Sequence, residues 1–183
     1  PFQRWFTSDV LDFVDVAWND TLAIRDAARN PDMRRVWLTS DEYLLIENRY
    51  VTPGETLELD QDSTTRVILG PKTPDRFEYD SLLPGSGLLV WHVDASVVPF
   101  TTALRPNPDF SFNTNFRRRG IRVIEADALA DLGDPGSPFI LGSYRDPWYV
   151  GNNTSLSDTT RPNLKPNVGT RTHLRLDVFD PPG

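Results

Sequence analysis

Cysteine is absent from the 183 residues, and histidine occurs only twice, as His92 and His173. Without cysteine there is no disulfide, no thiol nucleophile and no thiolate metal site, although the compartment stays undecided. Two imidazoles far apart in the chain cannot meet the requirement of a zinc hydrolase, which places two histidines one helical turn apart beside a glutamate base. No HExxH occurs. No apolar run approaches the ~20 residues that cross a bilayer, so no membrane span is expected. Positive charge is also in deficit: Lys and Arg number 19 against 26 Asp and Glu, a net charge of −7. A nucleic-acid binder needs a basic surface to release counterions, so that class is excluded. The one basic run, Arg117, Arg118 and Arg119, reads as a solvated strand edge or a carboxylate partner rather than a phosphate site. The chain opens on Pro1 with no Met, basic n-region or apolar h-region, which reads as a processing boundary inside a longer protein.

Aromatic residues and turn formers are plentiful. Five Trp, ten Phe and five Tyr supply large areas for a core, each worth about 1.5–3 kcal/mol when enclosed. Sixteen Pro and eleven Gly, spread along the chain, favour turns over long helices. One stretch has helical character, Asp26 to Val36, and Pro31 within it leaves a turn or two. The rest reads as strands. Val10 to Trp18 alternates, and Glu42 to Arg49 (EYLLIENR) is an apolar run suited to a central strand covered on both faces. Thr56–Leu59 and Thr65–Leu69 read as a pair joined by the acidic turn Asp60 to Asp62. Pro84 to Gly87 forms a tight turn launching Leu88 to Asp94 (LLVWHVD), the strongest strand. Gly120 to Asp127 and Thr172 to Asp180 are further strands. Long loops, Ala95 to Phe116 and Ala128 to Lys165, separate them, and loops of that length are usually functional or contact another part of the protein. The expected fold is therefore all-β, an antiparallel β-sandwich or barrel-like sheet with long irregular loops and at most a short helix, forming one domain over residues 1–183.

Four constellations bear on chemistry. A Ser/His/Asp centre lacks its GxSxG elbow; Ser86 in PGSGLL sits at the wrong spacing and reads as part of a turn. Paired carboxylates for glycoside cleavage fail in the strand holding Glu42 and Glu47, because their odd spacing sends them to opposite faces. The late-loop aromatics Phe139, Trp148 and Tyr149 are placed either to fill the core or to stack on a ligand. Overlapping N-x-[ST] sequons at Asn152 to Ser155, and another at Asn19 to Thr21, fit exposed loops. The fourth is calcium: Glu125, Asp127, Asp131 and Asp134 cluster at the end of a strand, with Gly133 and Gly136 allowing a tight path. Hard cations take oxygen ligands from such acidic loops, although no EF-hand spacing is present and a solvated acidic loop has the same composition.

Several strings occur in order: EYLLIENR (Glu42 to Arg49), LLPGSGLLVWHVD (Leu82 to Asp94), RVIEADALADL (Arg122 to Leu132) and GDPGSPF (Gly133 to Phe139). This succession resembles the segment downstream of the zinc centre in secreted metalloproteases of the immune inhibitor A group, the M6 peptidases. The family pattern is an E-Y-x-L-x-E-x-R strand, a P-G-x-G-L-L-x-W-H-x-D strand and an E-A-D-G-x-x-D-L loop leading into G-D-x-G-D-P-F. TTRPN (Thr159 to Asn163) and the final strand are also similar to that family's closing segment, so the likeness spans roughly residues 37 to 180. Two positions depart from it: Ala128 stands where the pattern has glycine, and Ser137 where it has a second aspartate, which removes one carboxylate from the loop. The resemblance implies that the Zn²⁺ ligands and catalytic glutamate lie upstream, so no catalytic residue is carried onto this chain. It also implies a secreted, extracellular location and a partner in the catalytic domain of the same polypeptide. EYLLIENR and LLVWHVD are then expected as adjacent central strands with Leu44, Ile46, Leu88 and Val90 in the core, and Glu42 or Glu47 pairing with Arg49 or Arg122.

Three functional expectations follow. The first is a non-catalytic accessory β domain of a secreted zinc metallopeptidase. The second is a free-standing carbohydrate- or surface-binding module that depends on Trp148 or Tyr149. The third is an enzyme built on His92 or His173.

Overall fold

The computed structural model describes residues 14–17, 19–27, 30, 32–51, 59–65, 68–71, 84–97, 113, 115, 117–132, 142–169 and 171–181; for 59–61 and 68–71 it describes the backbone alone. Among the described residues nine strands run in order: β1 (Val14–Asp15), β2 (Met33–Trp37), β3 (Glu42–Arg49), β4 (Leu59–Gln61), β5 (Ile68–Pro71), β6 (Gly87–Asp94), β7 (Ile121–Val123), β8 (Ser155–Ser157) and β9 (Arg175–Asp177). No helix occurs among the described residues. The chain is all-β. Strands β1-β2-β3-β6-β7 form one five-stranded sheet, while β4-β5 and β8-β9 are two-stranded. The ladders are antiparallel except for β1, which runs parallel to β2. The sheet is thus mixed at one edge, where a wholly antiparallel one was expected.

Eight consecutive residues of β3 pair with β6, from Glu42↔Asp94 to Arg49↔Gly87. The sequence dictates this: Tyr43 to Ile46 is apolar at every position, and a strand with no polar face is stable only when covered on both sides. Leu44 and Ile46 point to one face and join Val36, Val90, Ile124, Trp148, Leu156 and Leu164 in the larger core. Leu88 packs against that core from its margin. Tyr43 and Leu45 point to the other face and meet Met33 and Val93. The larger core is closed by the β8-β9 ribbon and its flanks, through Leu156, Leu174, Leu176 and Val178. A cavity of about 390 Å³ remains between the ribbon and the sheet, lined among others by Val36, Ile46, Val90, Trp148 and Val178.

The stretch with helical character instead holds an isolated bridge at Asp26 and then β2. Val36 opposite Leu44 and Met33 opposite Glu47 bury side chains that a one- or two-turn helix broken by Pro31 would leave exposed. Of the Val10 to Trp18 strand, only β1 lies within the described residues as a strand. The expected pair around Asp60 to Asp62 is present as β4 and β5 with the strand ends shifted, and the ladder slips between Asp60 and Gln61. Gly87, at φ 142°, packs where an added Cβ would stand 2.9 Å from the Trp148 carbonyl oxygen and from the Pro147 Cβ. This close approach lets Leu88 and Trp148 exchange both backbone hydrogen bonds, at 3.0 and 2.9 Å. Ser86 accepts the Val51 amide at 2.9 Å, which ties the turn before β6 to the chain leaving β3.

Candidate functional site

The start of β3 and the end of β6 bring three buried ionisable side chains onto one face: Glu42, His92 and Asp94. His92 Nε2 lies 2.8 Å from Glu42 Oε2, and its Nδ1 accepts Arg122 Nε from β7 at 3.2 Å. Guanidinium only donates, so Nδ1 holds the lone pair and Nε2 carries the hydrogen given to Glu42. Burial and then the Arg122 charge push the His92 pKa below its usual value, against the opposing pull of Glu42. Glu42 also accepts the amides of Asn167 at 2.6 Å and Val168 at 2.8 Å. Asp94 accepts Arg118 Nε at 2.9 Å, Asn167 Nδ2 at 3.0 Å and Ser96 Oγ at 2.5 Å. Burial works against its charged form, but these donors win and hold its pKa at about 2. Arg118, from the basic run, is a carboxylate partner.

On the opposite face, Glu47 and Arg49 form a second buried set. Glu47 Oε1 accepts Trp91 Nε1 at 2.8 Å and Arg49 Nη2 at 3.2 Å. Glu42 and Glu47 therefore do face opposite sides. The ion pair falls to Glu47 with Arg49, while Glu42 takes His92.

The third cluster is acidic. Oxygens of Glu125, Asp131 and Asp146 lie within 4.8 Å of one another. Glu125 follows β7 and accepts the amides of Asp131 at 2.7 Å and Leu132 at 3.1 Å. Asp146 accepts Ser143 through its amide at 2.6 Å and its hydroxyl at 3.0 Å. Burial, reinforced by Asp146 and Asp131, pushes Glu125 up to about 7, and burial raises Asp146 too. Asp131 Oδ1 is buried without a hydrogen-bond partner among the described residues. Glu125 and Asp131 of the expected calcium set thus come together. Asp127 instead accepts the Leu129 amide at 3.0 Å and stands outside the cluster, while Asp134 lies outside the described residues. Asp146 was not anticipated; its only local signal is the turn-forming run SYRDP, which resembles many turns. An all-oxygen donor set of this kind fits a hard cation such as Ca²⁺, with water and carbonyls completing a shell of about six to eight oxygens.

The remaining candidates separate clearly. His173 is not in a strand: it has φ 57° ahead of β9 and is exposed, with its amide donating to Asp158 at 2.7 Å. Neither imidazole belongs to a group of three metal-ligating side chains among the described residues. Trp148 is 2% exposed, and its Nε1 donates to the Ile124 carbonyl at 2.8 Å; it fills the core. Phe139 lies outside the described residues. The asparagines of the overlapping sequons are occupied: Asn152 Nδ2 donates to the carbonyls of Arg145 and Pro147, and Asn153 Nδ2 to those of Ala126 and Arg161; Asn19 is exposed.

None of the described residues forms a helix long and apolar enough to cross a membrane. No family model matches the chain, and no curated protein or solved structure matches it.

Proposed function

We propose that this chain is the non-catalytic accessory β domain of a secreted zinc metallopeptidase of the immune inhibitor A type, packing against the catalytic domain of the same polypeptide. One observation carries the reading. Polar residues of the strings that resemble that family are joined inside the sheet: Glu42 to His92, and Glu47 to Trp91 and Arg49. Glu125 likewise accepts the amides of Asp131 and Leu132 from the same strings. An imidazole enclosed between Glu42 and Arg122 belongs to a scaffold and presents no open metal position to a substrate. Zinc chemistry in this reading belongs to the catalytic domain.

Ca²⁺ is the second part of the proposal. Three carboxylates held together, one with a bare buried oxygen, are stabilised by a divalent cation that relieves their mutual repulsion. The cation would tie Asp131 and Asp146 to Glu125 just beyond the end of β7. The binding-module alternative loses Trp148, which is enclosed, and would rest on the half-buried Tyr149.

Casein hydrolysis measured on this chain and on its full parent polypeptide tests the assignment. The parent cleaves casein in a Zn²⁺-dependent manner, and the isolated chain does not, with or without added Zn²⁺. Hydrolysis by the isolated chain, or an inert parent with no HExxH upstream, contradicts it.

A further inference from the structure

The corner formed by β3, β6 and β7 has no spare negative charge for a protonated imidazole. Glu42 from β3 and Asp94 from β6 are opposed by Arg122 from β7 and Arg118 from the turn before it, and His92 sits among them. Arg119, beside Arg118, adds a further positive charge acting on Arg122. The turn at 167–168 contributes only the amides of Asn167 and Val168 and the Asn167 side-chain amide. Neutral His92 fits this count, because its two nitrogens serve one donor and one acceptor. Its ring is 1% exposed, so no water can replace either partner.

Strand β7 is short and depends on this corner. It pairs with β6 over three residues, Trp91↔Val123, His92↔Arg122 and Val93↔Ile121. The Arg122 side chain makes its contact with the imidazole of the residue opposite it in the ladder. A proton on Nδ1 would set two donors face to face, Nδ1–H and the Arg122 Nε–H, and leave one uncompensated positive charge in a closed space. The Glu42 side of the ring loses nothing, because Nε2 already donates there. The conflict therefore falls on Arg122 and the strand that carries it.

We propose that His92 is an acid-operated latch on strand β7: the neutral imidazole accepts Arg122 and holds the strand on the sheet, and protonation at Nδ1 releases it. The 167–168 turn, held by Glu42 and Asp94, stays in place when β7 opens. Burial and the Arg122 charge, which lower the pKa of His92, set the release on the acidic side of the ordinary histidine range. Acidification thus loosens the edge that leads into Glu125 while the central β3-β6 pair stays closed.

Amide hydrogen exchange on the intact chain, corrected for the intrinsic pH dependence of exchange, tests the latch. The probes are the amides of Arg122 and of Ile124, the latter bonded to the Val90 carbonyl at 2.8 Å, with β3 amides as the reference. As pH falls from about 6.5, the ordinary histidine value, to about 4.5, the β7 probes accelerate about tenfold relative to β3. His92→Gln, which carries no titratable proton, abolishes that pH response. Constant β7 protection in the wild-type chain, or the same response in His92→Gln, overturns the proposal. Nitrogen NMR of His92 gives an independent reading should the variant not fold. Nδ1 gains its proton over the pH range in which β7 opens; titration without β7 opening, or β7 opening while Nδ1 stays bare, overturns it equally.

Discussion

Ala128 holds φ at 65°, in the left-handed region where a Cβ crowds the following carbonyl. The family pattern that this segment resembles carries glycine at that place, and glycine occupies this conformation without the steric cost. Ala128→Gly is therefore expected to raise stability by up to about 1 kcal/mol, the relief of strain exceeding the extra chain entropy of glycine. A urea midpoint that moves upward with an unchanged slope is the expected result, and an unchanged or lower midpoint contradicts it. Asp94 gives a pH-dependent counterpart. Its pKa falls from 3.8 to about 2 in the fold, so the unfolded chain binds more protons between those values. Its contribution is complete above 3.8 and is lost as pH falls through about 2. The stability difference between the wild-type chain and Asp94→Asn should shrink over that window in acid-unfolding curves; a difference that stays constant with pH rules it out. Two residues mark the limit of sequence reading at this scale. His173 sits among alternating residues, and its positive φ comes from the local tie of its amide to Asp158, which periodicity does not encode. Asp146 lies 21 positions after Glu125, a separation that no local pattern spans.

At the scale of elements, β3 and β6 were legible and their neighbours less so. Long apolar runs leave a strand one way to be buried, so the identity of both strands followed from the pattern, while their adjacency and the placement of Leu44, Ile46 and Val90 were expected alongside the family resemblance. The strands β7, β8 and β9 have three residues each. That is too short for alternation to fix their bounds, and their partners rather than their composition define them. The Glu47–Arg49 pair in β3 is enclosed, at 0% and 2% exposure. Glu47→Gln removes the charge that neutralises Arg49 and is expected to cost about 3–5 kcal/mol. A loss under about 1 kcal/mol in denaturant unfolding would show that the pair is not what offsets the burial of Arg49. The acidic loop supplies another prediction. Saturating Ca²⁺, about 100-fold above its Kd, should add about 2.7 kcal/mol, a melting shift of roughly 5–10 °C that EGTA reverses. Glu125→Gln and Asp146→Asn should abolish it, and equal melting in Ca²⁺ and EGTA contradicts the site. Gly142→Ala should weaken the same response. At φ 79° the new methyl runs into Asp146 Oδ2 and the Leu132 side chain.

Across the whole molecule, the ionisable groups are sorted by what they touch. Glu42, His92 and Asp94 fasten the 167–168 turn and β7 to one end of the sheet, Glu47 and Arg49 occupy the opposite face, and the acids after β7 gather by themselves. Each cluster ties neighbouring elements to the sheet or to one another, which is the arrangement of a framework. The account stands on the claim that His92 and His173 do not make a hydrolytic metal centre. Calorimetric titration of Zn²⁺, in saturating Ca²⁺ so that the acidic cluster is filled, into the wild-type chain and into the double variant His92→Gln, His173→Gln tests this most directly. The account predicts the same weak heats for both proteins, with no stoichiometric site. One equivalent of tightly bound Zn²⁺ in the wild-type chain, lost in the double variant, would contradict it.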